Sequence, residues 1–260
     1  MEDYLKPWRP DEPVFAEPAP GLTVRALLRA TVSHLAARSP ALFLFSSICT
    51  LFMLFPSVVE GRVPPALAWA INLLAVMSFT FASGAAAASA TRGRNGASAC
   101  LAMASLRLHV LAALSVPIFV AFVLLTVLPL GLGIGIWTVG KGSALYLALP
   151  LAGLAASAFL AARFSLAAPA CVLEKAGPAS GLARSSRLTK GARRAAFPLF
   201  FTLMATNAIV TYLAMGLRHT VARIALEAAI LFAVNLMALA AVGALYRLRL
   251  EAFGGNTKDS

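Results

Sequence analysis

The chain alternates long apolar stretches with short polar breaks, and six of those stretches read as membrane spans. They cover about 40–59, 66–90, 108–129, 144–173, 196–217 and 225–246. A helix needs about 20 apolar residues to cross the roughly 30 Å hydrocarbon core, and each stretch reaches that length. Glu60-Gly61-Arg62-Val63-Pro64-Pro65 makes a tight turn after the first. The second closes on a run of small residues, Ala82-Ser83-Gly84-Ala85-Ala86-Ala87-Ala88-Ser89-Ala90, which lets helices approach closely within a bilayer. The third stays apolar beyond Pro129, through Gly131-Leu132-Gly133-Ile134-Gly135-Ile136-Trp137. One plain span does not need that length, so the helix is expected to break near Pro129–Gly131, with Trp137 at the interface.

Between the spans the period changes. Over 22–38, Val24, Leu27, Leu28, Thr31 and Leu35 share one helical face, and Arg25 and Arg29 lie on another. That pattern predicts an amphipathic helix on the membrane surface, or an extension of the first span. Basic helices are also expected over Gly96–Arg107 and Pro178–Lys190, each leading into a pair of spans. The units 22–90, 95–173 and 178–249 are of similar length, about 75 residues. They suggest a threefold helical-hairpin pseudo-repeat, although any even-span protein alternates inner and outer loops. The fold class is all-α: a polytopic bundle of six transmembrane helices with cytoplasmic amphipathic helices.

Composition agrees and adds direction. Of 260 residues, 60% are hydrophobic and 12% charged, with a mean hydropathy of +0.83. A soluble domain is roughly 25% charged, so a soluble enzyme and a disordered chain are both excluded. There are 22 basic and 10 acidic residues, a net charge of +12. Half of the acids (Glu2, Asp3, Asp11, Glu12, Glu17) lie in residues 1–21 with five prolines, which read as a flexible tail. The start lacks the basic and apolar regions of a signal peptide, so the first span is expected to serve as its own insertion signal. Seventeen basic residues fall on the side holding both termini and four on the other. The larger set includes Arg25, Arg29 and Arg38, then Arg92, Arg94 and Arg107, then Lys175 to Arg194, and Arg247, Arg249 and Lys258; the smaller is Arg62, Lys141, Arg218 and Arg223. By the positive-inside rule both termini are cytoplasmic, with 22–250 as the membrane domain and 251–260 as a tail, in a bacterial inner membrane. In this setting the basic excess points to anionic phospholipid headgroups and not to nucleic acid.

Candidate chemistry is sparse. Cys49, Cys100 and Cys171 lie in or beside apolar segments without metal spacing, and read as small buried hydrophobes. His34, His109 and His219 are far apart and hold no metal motif. Catalytic, cofactor and metal residues are therefore not assigned. Arg163 is the sharpest feature, in the middle of the fourth span, where an unpaired charge costs several kcal/mol. With Asn72, Asn207 and Asn235 it forms a candidate intramembrane polar cluster, either an anion site or a packing clamp. Arg25, Arg29, Arg184, Arg187, Lys190 and Arg194 are candidate contacts to anionic lipid.

Residues 163–191 carry the most distinctive pattern. Arg163, Ser165, Pro169, Glu174, Gly177 and Pro178 end the fourth span, and Leu182, Arg184, Ser185, Leu188, Thr189 and Gly191 lie on the helix that follows. Pro178 suits a first helical turn, and Gly191 suits a stop or bend. This segment resembles the membrane domain associated with glycerophosphodiester phosphodiesterases, and the related six-span inner-membrane proteins of the YciC type. In that pattern an alanine stands where this chain has Gly181, and an aromatic residue often follows the serine, where this chain has Ser186. The resemblance implies a membrane module without catalysis, in envelope or lipid homeostasis. A small carrier with Arg163 as its anion site, and a membrane subunit of a separate phosphodiester hydrolase, are the alternatives. A protein partner or a homo-oligomer is compatible with each.

Overall fold

A computed structural model describes residues 22–59, 63–91, 96–129, 132, 145–215 and 220–254. Among these, every regular element is helical. Helix α1 runs Val24–Val59 and α2 Pro65–Thr91. Helix α3 is Ala97–Ser105, and α4 is Leu108–Phe122, extended by a π-turn over Val123–Val127. Helices α5, Leu145–Phe164, and α6, Ala167–Leu173, divide the predicted fourth span. Helix α7 covers Pro178–Leu188, α8 Arg193–Met215 and α9 Thr220–Gly254. Four stretches are long and apolar enough to cross a membrane: Ala66–Thr91, Leu108–Val127, Ala148–Leu173 and Val221–Ala252. The legs of α1 make a fifth if they count as one span.

The predicted boundary at 38–40 is a bend. Arg38 leaves helical geometry (φ −130°, ψ 19°), and the legs Val24–Arg38 and Pro40–Phe55 meet at 98°. Pro40 lacks the amide proton that would continue the ladder. The π-turn of α4 has a similar origin. Pro129 cannot donate to the Leu125 carbonyl, and that oxygen lies against Gly153 of α5 so closely that a β-carbon there would clash. One helical turn on, the Thr126 and Ser157 hydroxyls meet at 2.5 Å. The break expected near Pro129–Gly131 lies mostly outside the described residues, as do Trp137, His219 and residues 1–21. The predicted C-terminal tail is helical as far as Gly254.

Burial is uneven along the bundle. Ala85, Ala86, Ala87 and Ala88 of α2 are wholly buried, together with Ala167, Ala170 and Cys171 of α6 and Leu239, Ala240 and Ala244 of α9. Side chains this small bury little area each, but they bring backbones close enough for dense dispersion contact. Two glycines set the closest approaches. A β-carbon on Gly84 would lie 2.6 Å from Val172 Cγ2, and one on Gly243 would lie 2.7 Å from His34 Nε2. At the other end of the bundle large apolar side chains face outward, among them Leu51, Phe55, Trp69, Leu124, Ile209 and Val221. In water that exposure would be costly; in acyl chains it costs nothing.

Candidate functional site

The site grows from a defect in one helix. Pro169 has no amide proton, so the Ser165 carbonyl loses its helical donor and the ladder opens at Ser165–Leu166. Opening frees the Leu166 amide and the Arg163 carbonyl. Both are taken by α7. The Leu166 N–H donates to Ser185 Oγ at 3.1 Å, and Ser185 Oγ donates to the Arg163 carbonyl at 2.9 Å. The Thr189 hydroxyl lies 3.1 Å from the same carbonyl and 2.9 Å from the Ser185 carbonyl. Ser185 and Thr189 are fully buried.

Helix α7 reaches them because the chain reverses after α6. Lys175 takes a positive φ of 57°, and the Ala176 N–H bonds back to the Ala170 carbonyl at 3.3 Å, which closes the helix end. Gly177 then caps α7 and Pro178 opens its first turn, as expected. The antiparallel return packs Gly181 on α6, where a β-carbon would lie 2.6 Å from Cys171 Sγ. Leu188 is buried in the core, with Leu182 packed against it. Gly191, at φ 88°, ends this passage, and its carbonyl accepts from Leu22 N at 3.3 Å.

Charged side chains fasten the return. Arg184 Nε donates to Glu174 Oε2 at 2.7 Å, and Tyr246 of α9 donates to Glu174 Oε1 at 3.0 Å. Arg107, at the α3–α4 break, donates to the Cys171 carbonyl at 3.3 Å. Arg249 of α9, only 2% exposed, donates to the Leu188 carbonyl at 2.7 Å and the Lys190 carbonyl at 2.8 Å. It thereby satisfies the terminal carbonyls of α7, the groups a helix end leaves unpaired.

Two further arginines meet on one hydroxyl. Arg163 Nε and Arg193 Nη2 each lie 3.0 Å from Ser186 Oγ, and Arg193 Nη2 also donates to the Ser186 carbonyl at 2.6 Å. The Arg163 guanidinium stands 5.1 Å from the centre of the Phe164 ring. The two nitrogens are thus no further apart than twice their distance to the shared oxygen. Unit charges that close repel by roughly 3 kcal/mol at the effective dielectric of a protein surface. Burial, and then the charge of Arg163, hold the Arg193 guanidinium below its ordinary pKa.

These positions correct two expectations. Arg163 does not join Asn72, Asn207 and Asn235 in a hydrogen-bonded cluster. Asn72 donates to the Ala68 carbonyl of its own helix, and Asn235 donates to Thr50 Oγ1 at 3.2 Å and lies 3.5 Å from Met53 Sδ. Asn207 is half-buried on α8. Instead, Arg163 stands one residue before the end of α5, beside α7 and α8, because the break at Ser165–Leu166 lets the polar return helix fold against that level. Arg184, expected to face anionic lipid, has a side chain 11% exposed and turned onto Glu174. Arg25, Arg29, Arg187, Lys190 and Arg194 are exposed.

Several participants escaped the sequence reading as site residues: Tyr246, Arg249, Arg107, Ser186 and Arg193. The arginines counted there only toward topology. The one available signal was Tyr246 and Arg249 three residues apart, on the face of the last helix that also carries the buried Val242. Among the described residues no group of three His, Cys, Asp or Glu side chains is placed to hold a metal ion. In comparison with known proteins, no family, no curated protein and no solved structure matches this chain.

Proposed function

We propose that the chain is a non-enzymatic, lipid-interacting scaffold module of a bacterial inner membrane, with six spans and cytoplasmic termini. The observation that carries this reading is how residues 163–191 are used. Their polar groups are spent on joining helices, through Ser185, Thr189, Glu174 and Arg184, and the remaining basic residues Arg25, Arg29, Lys190 and Arg194 stay exposed. A packed clasp under a basic surface is suited to holding headgroups, each basic residue being worth about 1 kcal/mol near an anionic leaflet. The resemblance to the phosphodiesterase-associated membrane domain belongs to the same proposal.

Two finer features are part of it. The α8 segment supplies the fifth span and the long leg of α1 the first. The threefold pseudo-repeat is supported by breaks in equivalent places: Arg38 in α1, Arg107 (φ −113°, ψ 17°) between α3 and α4, and Gly191 between α7 and α8. The carrier alternative is less well supported, since Arg163 stands one residue before the end of α5, where the return helix packs against it.

Native mass spectrometry of the gently extracted full chain tests the function. Retention of anionic phospholipid over zwitterionic lipid of the same chain length is expected. Equal retention of the two sinks the lipid-interacting reading. Retention of a hydrolase subunit in place of lipid favours the partner alternative.

A further inference from the structure

We propose that Arg163, Ser186 and Arg193 form a receptor for one phosphate group at the inner end of the bundle, a reading that rests on the lipid-interacting function above for the source of that phosphate. The first support is charge balance. Among the described residues the acids are Glu174, Glu227 and Glu251, and each is already joined to another arginine: Arg184, Arg223 and Arg247. The bonds of Arg163 and Arg193 go to Ser186 alone. Two guanidinium groups therefore converge with no carboxylate between them.

The second support is unspent donor capacity. Each guanidinium carries five N–H donors in a rigid fork. Arg163 uses Nε and Arg193 uses Nη2, while Arg193 Nε is shielded from solvent and has no acceptor. A tetrahedral oxyanion has oxygens enough to accept from two such forks at once.

The third support is placement. Arg193 and Arg194 occupy the first turn of α8, which holds no acidic residue. Helix stability alone favours acids at that end, where the macrodipole is positive, so the turn concentrates positive potential. Phe164 lies under the Arg163 guanidinium, and α5 and α8 run from here into their apolar lengths. A lipid phosphate lying at this level would leave its acyl chains along those helices.

The test uses the purified full chain in a non-ionic detergent. Native mass spectrometry titrates phosphatidylglycerol against phosphatidylcholine of the same chains, and thermal unfolding titrates inorganic phosphate. The wild type is expected to prefer phosphatidylglycerol by at least about tenfold, and Arg193→Gln and Arg163→Gln to lose at least about tenfold in its affinity. Lys175→Gln removes one exposed charge elsewhere on the same side and is expected to cost less than about fivefold. Arg193→Lys keeps the charge without the fork, so it serves if the glutamine variants do not fold; it is expected to lose more than Lys175→Gln. Equal losses in all variants overturn the site and leave the lipid-interacting function standing. Stabilisation by inorganic phosphate that Arg193→Gln abolishes, with no lipid preference, keeps the site and overturns the lipid function. No response to either probe overturns both.

Discussion

The Cys171 sulfur occupies the space that a side chain at residue 181 would need, 2.6 Å from the β-carbon position of Gly181. The two positions therefore have to be read as a pair. Gly181→Ala is expected to destabilise by about 1–3 kcal/mol, because a β-carbon pressed on a buried sulfur forces the helices apart. Combining it with Cys171→Ala opens room, and the double variant should lose less than the two single losses together. Equilibrium unfolding in mixed micelles, run as a double-mutant cycle, measures the coupling.

Ser185 serves both strands of the break in the fourth span. Ser185→Ala leaves the Leu166 amide without its acceptor and leaves the Arg163 carbonyl to Thr189 alone. The expected loss is about 1–3 kcal/mol, the range for a buried polar group left unpaired. Amide hydrogen exchange at Leu166 should quicken in the same variant.

Glu174 and Arg184 are almost entirely removed from solvent, with side chains 8% and 11% exposed. Removing one partner strands the other. Glu174→Gln is expected to cost about 3 kcal/mol, and the uncharged pair Glu174→Gln with Arg184→Met to recover most of it, since no buried charge is then left unpaired. Tyr246→Phe, which deletes a single bond to the carboxylate, should cost about 1 kcal/mol. Thermal melts of the four proteins decide the order.

The two bonded intramembrane amides should behave differently. Asn235 reaches across to Thr50, so Asn235→Leu is expected to lose about 0.6–1.7 kcal/mol, between the average and the largest values for hydrogen bonds between membrane helices. Asn72 bonds only its own helix, so Asn72→Leu is expected to be neutral or slightly stabilising. Comparable losses in both would show that burial of the amide, and not the cross-helix bond, sets the cost.

The elements that depend on local chemistry are legible in the sequence. Pro178 opens α7, Gly191 stops the passage after it, and α4 begins at Leu108 where the third span was expected. The partners of Arg163 are not legible in the sequence, for a physical reason. Apolar residues continue on both sides of Arg163 from 144 to 173, and Pro169 marks the loss of one donor without saying whether the ladder bends or opens at Ser165–Leu166. The break holds because hydroxyls some 20 residues later accept and donate in place of the helix, and such a partner has no signature at the break itself. The asparagines failed in another way. All three lie in apolar segments and look alike in sequence, and only the rotation of each helix decides whether an amide meets a neighbour or its own backbone.

The hold of Arg249 on Leu188 and Lys190 also sets an order on biosynthesis. Helix α9 is the last of the described helices to leave the ribosome, so the carbonyls at the end of α7 wait, uncapped, until residue 249 has been made. A nascent chain cut short before that point carries an unlatched return helix.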